Sequence, residues 1–214
     1  YGIDLVGFGR SEHPLPSKIK YLDNQLWADQ IACFLDEVVD IKNNGKAVLI
    51  GNSLGALTAI TTLSLRPEAI KAVVAAPLPE PILINPFEPL IPAWFEKVNK
   101  FIIEIIFSLF PLKALINLIS RTNIITYALQ SAYHRSIKKD NSLKRIVAFP
   151  ARRPNASKAL KAMCLGMSKR SNRIKGPNLL LKIKKITKRP PILLIWGGKD
   201  KLNWRTLGNL FNFQ

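Results

Sequence analysis

A chain of 214 residues, 48% of them hydrophobic, carries enough apolar side chain for one domain-sized core, which excludes general disorder. The net charge of +18 is unevenly placed: from Arg135 to Arg189 there are 18 lysines and arginines against one acid, Asp140. Two cysteines, Cys33 and Cys164, exclude a disulfide framework and have no metal-ligand spacing, so a reducing compartment such as the cytoplasm is expected and no metal site.

Gly2 to Gly7 reads as a strand that breaks into a Gly-rich loop running to Pro16. Leu22, Leu26, Ile31, Leu35 and Val38 recur at helical spacing and predict a helix from Tyr21 to Val39, with Cys33 on its buried face. Asn43-Asn44-Gly45 signals a turn. Lys46 to Gly51 predicts a strand, and Leu54 to Leu65 a helix that ends at Arg66-Pro67, because a residue before proline avoids helical backbone. Ile70 to Ala76 predicts the next strand. Six prolines from Pro77 to Pro92 then rule out a regular element. The segment that follows is apolar from Trp94 to Ile119 and basic beyond Arg135. Regular core pattern resumes near Leu179. Pro191 to Trp196 is apolar on both faces, which suits a central strand of a parallel sheet. The expected fold class is therefore α/β: a mostly parallel sheet with flanking helices. Its core spans 1–80 and 178–214, with a helical cap inserted at 81–177.

The chemistry centres on Gly51-Asn52-Ser53-Leu54-Gly55, set between a predicted strand and a predicted helix. Gly-x-Ser-x-Gly in that setting predicts a nucleophile elbow: a sharp, strained turn that lifts the serine hydroxyl clear of the sheet. Gly51 and Gly55, lacking a Cβ, would let strand and helix approach closely. The Leu54 amide, at the helix start, would face a developing oxyanion. The plainer alternative is a serine that only caps the helix.

Two further segments accompany it. Asp4-Leu5-Val6-Gly7-Phe8-Gly9-Arg10-Ser11 precedes the elbow, and Trp196-Gly197-Gly198-Lys199-Asp200 closes the last apolar strand. In this order the three resemble the α/β-hydrolase family, weakly so between about Pro81 and Pro190. The resemblance implies Ser53 as nucleophile, the Leu54 amide as half of an oxyanion hole and Asp200 as the acid that orients a histidine. It implies a carboxylic ester of an apolar substrate, cleaved through an acyl-enzyme without metal or organic cofactor. Phe8, between two glycines, would line the pocket floor or simply pack. Asp200 read alone is a loop acid capping the next turn. Trp27-Ala28-Asp29-Gln30-Ile31-Ala32-Cys33-Phe34, with the Gly-Asn-Ser-Leu-Gly turn, is similar to the chloroplast and cyanobacterial pheophytinase-like branch, which acts on esters of long isoprenoid alcohols. Arg152-Arg153-Pro154-Asn155-Ala156 is similar to that branch's cap.

No histidine follows Asp200. The family also takes its second oxyanion donor from a loop that would precede Tyr1, so the sequence reads as part of a longer hydrolase. Of the two histidines present, His13 falls on the loop after the first predicted strand, where it would line the pocket or sit in solvent. His134 lies among basic residues and reads as a surface histidine. The alternative function is a catalytically inactive relative that binds a hydrophobic ligand, a partner or an anionic membrane surface.

The basic stretch shows no nucleic-acid-binding module, so no nucleic acid is expected as partner. It suits an anionic membrane surface, contacted peripherally, or is a solvated basic face without a dedicated partner. Phe101 to Ile119 is long enough to span a bilayer, but Glu104, Pro111, Lys113 and Asn117 argue against it and leave interfacial contact.

Overall fold

The computed structural model describes residues 1–14, 17–76, 130 and 140–195. The apolar half of the expected cap, His134 and Asp200 lie outside them. In chain order the described elements are α1 (Asn24–Phe34), α2 (Ile41–Asn44), β1 (Ala47–Gly51), α3 (Leu54–Leu65), β2 (Ile70–Ala75), α4 (Asn141–Ala151), α5 (Ala156–Lys169), α6 (Gly176–Lys184) and β3 (Ile192–Leu194). The chain divides into two compact units, one formed by Tyr1–Leu22 with Ile91–Lys169 and the other by Asp23–Leu90 with Arg170–Gln214.

The second unit holds a parallel sheet in the order β1-β2-β3. Strands β1 and β2 are joined through α3, the crossover that parallel neighbours require. Val48 pairs with Ala72, Leu49 with Val73 and Ile50 with Val74; Val73 in turn pairs with Ile192. Helix α3 packs on β1 and β2 and is itself packed by α1 and α6. All nine residues from Ala56 to Ser64 are buried, as in a helix covered all round. Its polar residues meet that burial by bonding back along the helix. The Thr58, Thr61 and Thr62 hydroxyls donate to the Leu54, Leu57 and Thr58 carbonyls at 2.9, 2.7 and 2.9 Å.

Helix α1 starts at Asn24 rather than Tyr21, because the Asp23 carboxylate caps it, accepting from the Gln25 and Leu26 amides at 3.0 Å each. Helical backbone continues as a π-turn over Leu35–Val39 and stops at Asp40, which has φ of 53°. Cys33 is exposed, not on the buried face; Trp27, Ala28 and Ile31 carry that face instead. Asn24 is completely buried. Its amide nitrogen donates to Thr61 Oγ1 and to the Ile174 carbonyl, both at 2.8 Å, so one side chain ties α1, α3 and the 172–174 turn together.

The helix-bearing face of the sheet is sealed by Val73 and Ala75, both buried. On the other face Ile50 is 79% and Leu193 58% exposed. The last apolar strand pairs in parallel with β2, as expected, while Leu193 on it is exposed.

In the first unit, Gly2 to Gly7 is not a strand. A strand exists only by pairing, and no described strand pairs with it. Instead Asp4 gathers the Gly-rich loop around itself: its carboxylate accepts from the Arg10 amide at 2.8 Å, and its carbonyl accepts from the Ser11 hydroxyl at 2.5 Å. Gly9 turns there with φ of 51°, where a Cβ would strike the Asp4 carboxylate. Arg153 clamps the same loop, its Nη1 donating to the Gly9 carbonyl at 2.6 Å and to the Ser11 carbonyl at 3.2 Å. Leu22 lies along α5, its amide donating to the Ala162 carbonyl at 3.1 Å, where Gly166 leaves room for its backbone.

Candidate active site

The turn between β1 and α3 has the strand–turn–helix form expected from Gly51-Asn52-Ser53-Leu54-Gly55. Ser53 sits at its tip with φ of 50° and ψ of −115°, a conformation that glycine adopts freely and a side-chain-bearing residue does not. Such a residue stores about 1–3 kcal/mol, held in place by the surrounding structure. Gly51 shows what does the holding. A Cβ there would collide with the backbone of Gly55 and Ala56, so β1 and α3 are pressed together at this point. Gly55 has no such role, because a Cβ on it meets no described atom within 4 Å.

Ser53 is exposed. It occupies the N-cap position of α3, yet its side chain makes no capping hydrogen bond. The plainer reading of this serine as a helix cap therefore has no support in the geometry. The Gly55 amide is satisfied by the Asn52 carbonyl at 2.8 Å, and the Leu57 amide by the Ser53 carbonyl at 3.1 Å. The Leu54 amide has no acceptor among the described residues, as the first amide of a helix does not. The turn thus presents a hydroxyl and an N–H on successive residues, neither with a hydrogen-bond partner among the described residues, at the positive end of a twelve-residue helix.

The remaining sequence candidates are not gathered there. Asp200 and His134 lie outside the described residues. Phe8 is half-buried in the Gly-rich loop of the first unit, its amide donating to the Leu5 carbonyl at 2.8 Å. His13, in the same unit, is buried rather than solvated. Burial, aided by the Arg153 charge, holds its pKa below the ordinary histidine value and favours the neutral ring. Arg153 was legible only as part of the cap-like run; nothing in the sequence marks it as the clamp on Gly9 and Ser11.

An open hollow of about 500 Å³ lies in the second unit, lined by Ser64, Leu65, Ile174 and Asn178 among others. It opens at the far end of α3, about 16 Å from Ser53 at 1.5 Å per residue, and does not serve that hydroxyl. Among the described residues no three histidine, cysteine or acidic side chains gather as metal ligands.

A parallel sheet with a tight strand–serine–helix turn at its edge defines a class of α/β protein, and the comparisons give the family. The sequence model described as alpha/beta hydrolase fold matches residues 1–210. The chain belongs to the α/β-hydrolase fold family. Among solved structures, a haloalkane dehalogenase loop variant from Bradyrhizobium elkanii superposes with a TM-score of 0.59 at 15% identity, over 96% of this chain and 66% of that one. A malate-bound thermophilic esterase from Thermogutta terrifontis gives 0.48 at 14% identity, over 90% of this chain and 69% of that one. The chain thus spans about two thirds of the length of each. No curated protein sequence matches it. At 15% identity the dehalogenase likeness speaks for the fold and not for the chemistry.

Proposed function

We propose that the protein is a serine hydrolase in which Ser53 attacks the carbonyl of a carboxylic ester with an apolar acyl or alcohol part. The observation that carries this reading is the strained and exposed Ser53, which makes no capping bond, beside a Leu54 amide that has no acceptor among the described residues. Strain at a positive φ persists where a hydroxyl must be presented, and a serine serving only to cap a helix has no need of it. In the reaction the Ser53 oxygen adds to the carbonyl carbon, and the Leu54 N–H stabilises the oxygen that becomes negative. Collapse expels the alcohol and leaves an acyl-serine, which water hydrolyses to the acid and the free enzyme. Asp200 is assigned to orient the histidine that takes and returns the serine proton. No residue from Lys201 to Gln214 is a histidine. The similarity of residues 27–34 to the pheophytinase-like branch points to esters of long isoprenoid alcohols as the substrate class.

The test is hydrolysis of p-nitrophenyl acyl esters by the natural-length protein and by Ser53→Ala. A loss of about 10⁴-fold or more in kcat, with unchanged circular dichroism, is expected. Turnover retained in Ser53→Ala removes Ser53 from the chemistry. A natural-length protein that binds such esters without turning them over favours the inactive, ligand-binding relative instead.

A further inference from the structure

Helix α4 exposes large apolar side chains on the side where it also exposes cations. Ile146 is 69%, Phe149 51% and Val147 40% exposed. At 100° per residue, Arg145, Ile146, Phe149 and Arg152 share one face, at relative positions i, i+1, i+4 and i+7, while the buried Ala148 lies on another. Val147 lies about 160° round the helix from Phe149 and is not part of that face. The Asp140 carboxylate caps the first turn, accepting from the Leu143 amide at 2.8 Å. Adjacent large apolar side chains in water mark a surface that meets something.

Charge selects the partner. From Asn141 to Lys169 there are seven lysines and arginines and no acid. A second copy would bring the same positive field against this one. An anionic bilayer accommodates both parts of the face. Hydrocarbon receives Ile146 and Phe149, while the long stem of Arg145 reaches back to lipid phosphate. Eleven residues give a helix of about 16 Å, too short to cross the roughly 30 Å hydrocarbon core and suited to lying along its surface. No described helix is long and apolar enough to cross a membrane. We propose that α4 is an interfacial helix that docks this protein on a membrane surface rich in anionic lipid. This does not depend on the role assigned to Ser53.

The experiment is co-sedimentation of the full chain with vesicles of phosphatidylcholine alone and of phosphatidylcholine mixed equally with phosphatidylglycerol. Binding about tenfold or more stronger to the mixed vesicles is expected, weakening as salt is raised. Replacing both Ile146→Ser and Phe149→Ser should lower partitioning about tenfold or more without changing the far-ultraviolet spectrum, since both side chains are exposed. As a readout independent of that variant, Phe149→Trp should show a blue-shifted emission on mixed vesicles only. Equal affinity for both vesicle types overturns the proposal, as does absence of binding to either. So does binding to mixed vesicles that the double serine variant leaves unchanged, which would assign the attraction to diffuse positive charge. A dimer in solution that the double variant dissociates would overturn it in favour of self-association.

Discussion

Replacing Gly51 by alanine tests whether the turn that carries Ser53 is held by contact between β1 and α3. The new methyl would fall inside the van der Waals radius of the Gly55 carbonyl and the Ala56 nitrogen. These are backbone atoms within a buried helix, so no side-chain rotation relieves the clash. Strand and helix must separate by about 1 Å to restore ordinary contact. Overpacking of this kind costs about 3 kcal/mol, at the upper end of the usual range because backbone has to move. For a chain of this length that is a fall in Tm of roughly 6–12 °C. Gly55→Ala is the internal control. It carries the same added methyl four residues away, meets no described atom within 4 Å, and gains up to about 1 kcal/mol of helix propensity. Urea unfolding followed by circular dichroism at 222 nm measures both. If Gly51→Ala unfolds within about 1 kcal/mol of the parent, or Gly55→Ala costs as much, the close approach is not what fixes the turn.

Two further outcomes follow from the buried polar groups. Asn24→Ala should destabilise by about 2–4 kcal/mol, because it removes both hydrogen bonds of a fully buried side chain and strands the Ile174 carbonyl; a loss below about 1 kcal/mol in the same unfolding assay would refute that role. His13 is held neutral by burial and by Arg153, so its pKa is lower folded than unfolded. The unfolded chain then binds the extra proton first, and stability is complete above about pH 6.5 and is lost as the pH falls toward the folded value. In His13→Leu this part of the slope of stability against pH should vanish, and an unchanged slope would assign it to other groups.

Much of the second unit was legible in the sequence because its signals are local. The helix Leu54–Leu65 was expected at the residues where it occurs, since a Gly-x-Ser-x-Gly turn opens it and Arg66-Pro67 closes it. Strands β1 and β2 followed from short apolar runs between turn residues. The strain at Ser53 was also expected from its pentapeptide, because a Gly-x-Ser-x-Gly turn between strand and helix is sharp, and Ser53 has φ of 50° there.

What the sequence left undecided depends on contacts between residues distant along the chain. Gly2 to Gly7 has a strand's composition, but a strand needs a neighbour to bond, and Asp4 organises a loop there instead. Cys33 falls within a helical pattern, yet periodicity alone placed it on the wrong face; packing on α3 decides that Trp27 and Ile31 turn inward. For His13 the loop sequence leaves both a pocket lining and a solvated position open, and only the tertiary structure decides that it is buried, beside Arg153 and Pro154. Gly51 and Gly55 are interchangeable in the motif, and only the meeting of strand with helix distinguishes the glycine that must lack a Cβ from the one that need not. Residue type and local periodicity determined the elements and the position of Ser53 between strand and helix. Which faces are covered, which groups lose water and which glycine is indispensable were decided by tertiary packing, because burial and steric exclusion belong to pairs of segments and not to any one of them.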